Sequence, residues 1–533
     1  MSRIIKNRVF ELREWQSEAF TSVMKVYASG RKDFLAVATP GAGKTKYALA
    51  VAHEFLRKGI CKRIVVVTPT EQLKRQWAAT AASFAGIDLD PDFANSQGIE
   101  APDFHGVAVT YALLGQDKHN IHAQNTFSRR TFVILDEIHH AGENLTWGNA
   151  VRKSFENAIF RLAISGTAFR SDDNEIPFIT YENGISRADY TYGYERAIRE
   201  NVCRPVYFSI HDGRMKWKVA EEEFEHSFKD SLTPDQVSKR LKTALDTKGN
   251  WVRDVMKAAN AKLGEIRRTH PDAAGMVFAS TQKHARELAD ILRAVSGEMP
   301  PVIISDNPES ETRLNEFRSS GRKWLVSVKM VSEGVDIPRL RVGVYLTNIK
   351  AELFFRQAIG RFVRVLSDLK WQDAYIFIPA DRDLVKLAEQ ITEEREHALE
   401  DAKKDSFGPE RDLFGNEYIP ALRGNFQAIA SSATGSEIIE VDVGISNGMK
   451  ESVDTRTRSA DAPVFMQKKY LREQANRLAR KIAIRNHSGY GKPDFRFAHN
   501  LWIENGGKHM SAETVAELKN RINFYKNLLR SAS

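Results

Sequence analysis

The segment Leu35–Thr45, LAVATPGAGKT, runs from a β-rich apolar stretch through small residues into the helical pattern KYALAVAHEFL. Small residues at such a turn let consecutive backbone N–H groups close around phosphate oxygens, and a helix that begins there adds its positive dipole end. Gly41, Ala42 and Gly43 form the turn, Lys44 is placed to hold the β and γ phosphates of a nucleotide, and Thr45 to ligate Mg2+. Ala38 stands where the strict GxxxxGK[ST] pattern has its first glycine. A second apolar run, TFVILDEIHH, ends in two carboxylates where a buried parallel strand would emerge, and in open α/β sheets ligands sit at that carboxyl end. Asp136 is then a magnesium ligand, and Glu137 polarises the water that attacks the γ-phosphate. His139 and His140 lack HExxH or Cys/His spacing, so zinc ligation is not expected of them.

Further along, Gln357, Gly360, Arg361 and Arg364 form QxxGRxxR within LFFRQAIGRFVRV. Read as one amphipathic helix, the spacings of four and three put Gln357, Arg361 and Arg364 on one face. Arginines there could neutralise charge developing on a γ-phosphate, the arginine-finger role.

Nine segments follow one another in chain order: LREWQSEAF with Arg13 and Gln16, ATPGAGKT, TPTEQLKRQW, VTYALL, DEIHH, SGTAFR, VFASTQKHARELADIL, VSEGVDIP and QAIGRFVR. This series, spanning about Leu12 to Arg364, resembles the motifs of superfamily 2 helicases and translocases of the DExH kind. Within them it is most similar to the group that holds the type III restriction helicase engines, RadD and XPB. The resemblance implies a nucleic-acid-dependent ATPase that turns ATP into ADP and phosphate with Mg2+. Gln16, beside Arg13, matches the glutamine that reads the adenine edge. Ser165, Gly166 and Thr167, with His139, match residues that couple nucleotide state to domain closure; Ala168 replaces the usual proline. Gly334 and Asp336 match the motif whose acidic residue reaches the ribose. Thr70, Gln76, Thr110, Ser280 and Lys329 are candidate grips on nucleic-acid phosphates. DNA is favoured over RNA because the last motif begins with Gln357 rather than His.

The implied fold is α/β: two tandem RecA-like parallel-sheet domains plus a mainly helical, basic C-terminal domain. We place the first at residues 1–201, with strands near Phe34–Ala38, Ile64–Thr68, Val107–Thr110, Phe132–Leu135 and Arg161–Ser165. The second spans 202–400, with strands near Arg204–Ile210, Gly275–Ala279, Pro301–Ile304, Lys323–Val328, Arg341–Leu346 and Ala374–Ile378, and a helical excursion over 217–270. Residues 401–466 read as a connector with some β content, and 467–533 as a basic helical accessory domain for nucleic acid, its last helix opened by a capping box from Ser511 to Thr514.

The 533 residues carry a net charge of +9 and 42% hydrophobic residues. From Gln467 onward there are fourteen Lys or Arg and five Asp or Glu, so the entire surplus lies there, where it favours a polyanion. Two cysteines, Cys61 and Cys203, cannot build a disulfide framework, and no apolar run approaches a membrane span, so a cytoplasmic protein is expected. Three functions stay open: a helicase or translocase in repair, recombination or defence against foreign DNA; an ATP-gated sensor or clamp; or the motor subunit of a restriction-type complex. No nuclease motif is evident, so restriction would need a partner protein such as a nuclease.

Overall fold

The computed structural model describes residues 7–143, 145–166, 176–182, 184–219, 222–304, 309–328, 337–366, 369, 372–405, 436–438, 462–485 and 496–531. They group into two units, one of residues 1–37, 43–191 and 452–533, the other of residues 38–42 and 192–451.

The first unit is built on β1 (Asp33–Ala38), β2 (Arg63–Thr68), β3 (Leu89–Asp90), β4 (Gly106–Thr110), β5 (Thr131–Asp136) and β6 (Phe160–Ser165), followed by a small β7 (Tyr181–Glu182) and β8 (Ile185–Ser186) hairpin and β9 (Tyr190–Tyr192). The sheet order is β3-β4-β2-β5-β6-β1-β9. Each pairing resolved from β1 to β6 is parallel. Runs such as RIVVVT in β2 are buried throughout, as strands covered by helices on both faces require. The covering helices are α1 (Glu14–Ala28), α2 (Lys44–Arg57), α3 (Glu71–Thr80), α4 (Tyr111–Gly115), α5 (Ile121–Ser128), α6 (His140–Glu143) and α7 (Leu145–Phe155).

The second unit begins with α8 (Tyr194–Arg199), β10 (Val206–His211), a β11 (Arg214–Val219) and β12 (Glu222–Ser227) pair, α9 (Pro234–Ala244) and α10 (Asn250–Thr269). It continues with β13 (Ala274–Ala279), α11 (Gln282–Ser296), β14 (Val302–Ile303), α12 (Glu309–Ser319), β15 (Trp324–Val328), β16 (Leu340–Leu346), α13 (Glu352–Ile359), β17 (Ala374–Pro379), α14 (Arg382–Asp405) and β18 (Ser436–Ile438). Its sheet order is β14-β15-β13-β16-β17-β10-β18, parallel except for β18, which runs antiparallel to β10. Of the stretch 401–466, only 401–405, the short β18 and the residues from 462 fall among those described.

The excursion expected to be helical over 217–270 opens instead with the β11–β12 hairpin. Met215, Trp217 and Val219 alternate with Arg214, Lys216 and Lys218, a period of two that selects a strand, and Trp217 stacks on Phe224 across the pair at 5.8 Å. Helix begins only at α9, where Thr233 caps Gln236 and Pro234 sits in the first turn.

The C-terminal helices α15 (Val464–Arg485), α16 (Phe497–Glu504) and α17 (Val515–Ser531) share a core of Leu471, Ala475, Ile482, Leu518, Ile522 and Tyr525. The capping box of α17 sits at Thr514 and Glu517 rather than Ser511 and Thr514. Thr514 accepts from the Glu517 N–H at 3.2 Å, and the Glu517 carboxylate accepts the Thr514 N–H at 2.7 Å. Glutamate, a full anion with two acceptor oxygens, makes this box the better one.

These helices belong to the first unit because acids at its sheet edge hold them. Asp103 accepts from Lys468 Nζ at 3.2 Å and from the Val515 N–H at 2.9 Å, and Arg472 lies 3.9 Å from Asp92. The Lys468 side chain is 1% exposed and lies over the Phe104 ring. Part of the basic surplus is therefore spent inside the unit. Removing the acid would leave a buried ammonium unpaired, which costs about 3–5 kcal/mol. Asp103→Ala is expected to loosen α15 and α17, read as faster backbone hydrogen exchange in both helices with β1, β2 and β5 unchanged.

Burial pushes the neighbouring Asp90 carboxyl up to about 6, against the opposing pull of the Asp92 N–H, Lys468 and Arg472. A raised folded pKa gives stability that is complete below the unfolded value near pH 4 and is lost as pH rises through 6. Asp90→Asn, neutral at every pH, should therefore gain on the parent between pH 4 and 6 by up to about 3 kcal/mol and keep a constant lead above, measured as thermal midpoints across that range.

Candidate nucleotide site

In the first sheet β6 lies between β1 and β5, with Val37 paired to Ser165 and Asp136 to Ile164. The segments leaving the carboxyl ends of these three neighbours are the phosphate loop, Ser165-Gly166 and Asp136-Glu137. Parallel pairing thus brings together groups that lie far apart in the chain.

Gly41 and Gly43 have φ of 83° and 97°, a left-handed backbone open to glycine, and Gly43 is the residue from which α2 starts. A Cβ on Gly43 would lie 2.9 Å from Gln16 Nε2. Gln16 is 3% exposed; its amide donates to the Gly43 carbonyl at 2.9 Å and accepts the Arg13 N–H at 2.9 Å. Arg13 and Gln16 therefore brace the loop from behind.

Lys44 Nζ lies 3.2 Å from Glu137 Oε1. Glu137 Oε2 accepts the Gly166 N–H at 3.0 Å and the Ser165 hydroxyl at 3.3 Å. His139, 6% exposed, approaches Ser165 Oγ at 3.3 Å and Glu137 at 3.6 Å. Glu137 itself has φ of 45°, a strained conformation for a residue with a Cβ and one characteristic of functional turns. Burial would push its carboxyl up, but the Lys44 ammonium, His139 and the Gly166 N–H outweigh burial and hold it well below the usual range. Glu137 is ionised, with a charge that can orient water.

Asp136, 6% exposed, accepts the Trp77 indole N–H on Oδ2 at 2.6 Å, and its main-chain carbonyl accepts the Tyr111 hydroxyl at 2.9 Å. Neither aromatic residue was singled out from the sequence. The available signal was their position, each closely following a threonine, Thr70 or Thr110, that caps its helix by accepting from Leu73 or Leu113. Among the described residues no three His, Cys, Asp or Glu side chains cluster to hold a metal ion. The donor set of one carboxylate, Asp136, and one hydroxyl, Thr45 at the start of α2, suits Mg2+, which takes much of its coordination from water and phosphate.

In the second unit Gln357, 9% exposed, lies on α13, but the helix stops at Ile359 and Gly360 caps it. Arg361 and Arg364 are therefore not on one helical face with Gln357. Beyond the cap the chain straightens: Arg364 bridges to Cys203, and the Val363 carbonyl accepts the Arg204 N–H at 2.7 Å. A Cβ on Gly360 would lie 2.5 Å from the Pro40 ring, so only glycine fits. Residues 38–42 belong to this unit by their contacts, and the Arg364 Cγ lies 3.5 Å from where a Cβ on Gly41 would be. Ser280 follows β13, and its hydroxyl donates to the Leu346 carbonyl at 3.5 Å. Thr167, Lys329, Gly334 and Asp336 lie outside the described residues.

The family described as Type III restriction enzyme, res subunit matches residues 9–170, and the one described as Helicase conserved C-terminal domain matches residues 258–366. An uncharacterized protein of Mycobacterium tuberculosis (strain ATCC 25618 / H37Rv) is 45% identical over 73% of this chain, which spans 64% of that relative's length. An uncharacterized protein of Mycobacterium leprae (strain TN) is 37% identical over 97% of this chain and 94% of its own. A protein named DNA 3'-5' translocase XPB2, from Sulfurisphaera tokodaii, is 23% identical over 68% of this chain and 80% of its own. A solved fragment assigned as the HsdR subunit of a type I restriction enzyme from Vibrio vulnificus YJ016 shares the fold, with a TM-score of 0.52 at 16% identity over 72% of this chain and 66% of that one.

Gly43→Ala should weaken binding of a fluorescent ATP analogue at least about tenfold, because it strains a left-handed residue and drives a methyl into Gln16. The thermal midpoint should move by only a few degrees.

Proposed function

Because this chain belongs to the superfamily 2 helicases of the restriction-enzyme and XPB-like group, we propose that it is an ATP-driven motor on nucleic acid, acting on DNA in preference to RNA. The observation that carries this reading is the Lys44, Glu137, Gly166 and His139 cluster assembled where three neighbouring strands end. Lys44 and the loop amides would hold the β and γ phosphates. Thr45 and Asp136 would hold Mg2+, which supplies charge neutralisation on the phosphates when bound. Glu137 orients the attacking water, and His139 with Ser165 and Gly166 ties that carboxylate to the end of β6.

Arg361 and Arg364, with Gln357, supply the second half of the chemistry, neutralising charge on the transferred phosphoryl group. Gly334 and Asp336 would reach the ribose, and Lys329 with Ser280 would grip the strand, by motif position. On the first unit Thr70, Gln76 and Thr110 are the corresponding grips.

The motif beginning with Gln357 and the relative named as a DNA translocase support DNA. The C-terminal helices add a basic face: Lys469, Arg477, Arg480 and Lys481 on α15 and Lys519, Lys526 and Arg530 on α17 are exposed, whereas Lys468 and Arg521 are fully buried. Such contacts to phosphates carry no base information, so binding should be insensitive to sequence and sensitive to salt. No helix among the described residues is long and apolar enough to cross a membrane. We place the activity in the cytoplasm, in repair, recombination or defence against foreign DNA, with a nuclease as a partner protein if it serves restriction.

ATP turnover across single-stranded, duplex and forked DNA and RNA tests this reading. DNA should stimulate turnover by at least about tenfold, RNA less, and Lys44→Ala should abolish it. Turnover unchanged in Lys44→Ala would remove the site, and equal stimulation by RNA would remove the preference. Stimulated turnover without strand separation or triplex displacement would favour the clamp.

A further inference from the structure

The carboxyl edge of the first sheet has two halves. Reading along the sheet order, β4 and β2 end at Thr110 and Thr68, β5 ends at Asp136, and β6 and β1 lead to Ser165 and the phosphate loop. Asp136 sits at the join between the half that carries Thr70, Gln76 and Thr110 and the half that carries Lys44.

Two helices of the first half reach across that join. Trp77 on α3 is 2% exposed and donates its indole N–H to Asp136 Oδ2 at 2.6 Å. An indole nitrogen can only donate, so the bond persists only while that oxygen accepts, and a charged acceptor makes it short and strong. Tyr111, at the first position of α4 and fully buried, donates to the main-chain carbonyl of the same Asp136 at 2.9 Å. One helix thus fixes the carboxylate and the other fixes the backbone that bears it. Both helices are rigidly started by threonines, Thr70 and Thr110, whose hydroxyls cap them.

We propose that Trp77 and Tyr111 are positioning residues through which a polynucleotide lying on α3 and α4 sets the orientation of the magnesium carboxylate and so accelerates hydrolysis. The inference rests on the function proposed above and adds to it the physical link between strand and nucleotide. With Oδ2 accepting from the indole, the orientation of the Asp136 carboxylate follows the position of α3. A shift of α3 under a bound strand rotates the carboxylate because the bond is buried, with Trp77 2% and Asp136 6% exposed. Outer-shell partners of this kind change metal affinity by about 10- to 100-fold when removed.

The test uses the full chain with Trp77→Phe, which keeps an aromatic ring and removes the donor, and Tyr111→Phe, which removes only a hydroxyl. Mn2+ affinity in the ADP complex is measured by electron paramagnetic resonance. The ratio of ATP turnover with and without saturating oligo(dT), oligo(dT) affinity and the thermal midpoint are measured beside it. Trp77→Phe should weaken Mn2+ about tenfold and cut the stimulation ratio at least fivefold, with oligo(dT) affinity within twofold of the parent. Tyr111→Phe should move both quantities in the same direction by a smaller factor, and it carries the test if Trp77→Phe does not fold. Variants that turn over more slowly yet keep the parent's Mn2+ affinity and stimulation ratio would overturn the link, since a merely structural role behaves so. A parent that oligo(dT) does not stimulate would instead remove the proposed function, and the link with it.

Discussion

Glu137 has to stay ionised inside the fold, and the first unit is arranged to make it so. Its backbone is bent into a left-handed turn at φ of 45°, its carboxylate takes the Lys44 ammonium on one oxygen and the Gly166 N–H on the other, and His139 closes the remaining side. A buried carboxylate without such partners would hold its proton and could not orient water. The partners come from three different strand ends, so the order β5-β6-β1 is the condition for the chemistry.

The same edge explains how a motor of this group can be built from a rigid sheet. One half of the edge holds Lys44, Glu137 and Ser165, and the other half holds helices capped by Thr70 and Thr110; in the function proposed here the first half takes the triphosphate and the second the phosphodiester backbone. Asp136 stands between them, fastened from the second half by Trp77 and Tyr111. The C-terminal helices are fastened to the sheet edge of this unit by Asp92 and Asp103, while Lys469, Arg477, Arg480 and Lys481 of α15 and Lys519, Lys526 and Arg530 of α17 stay exposed. The charge surplus therefore divides into a structural share and an exposed share.

Much of this was legible in the sequence because it is local. The phosphate loop, the apolar strands and the carboxylate pair each declare themselves within about ten residues, and the strands near 34–38, 64–68 and 132–135 lie where continuous runs of buried apolar residues put them. The hairpin at 214–227 was hidden by its neighbours, since a helical period dominates the window that follows it. The QxxGRxxR segment looked like one helix because spacing alone cannot show that the helix stops at Ile359, where Gly360 packs against the Pro40 ring. The Trp77–Asp136 bond spans 59 positions, and the Asp103–Lys468 pair spans 365. Such contacts depend on which strands are neighbours and on where a distant helix docks, and no local pattern records either.

If Asp136 joins the two halves of the edge, a bound strand and a bound nucleotide must communicate. Affinity for a non-hydrolysable Mg2+–ATP analogue can be measured with and without a saturating single strand of DNA, and affinity for that strand with and without the analogue. Linkage requires the two ratios to be equal, and both should exceed about fivefold in the same direction. Ratios of one in both directions, in a protein that binds each ligand, would contradict such communication.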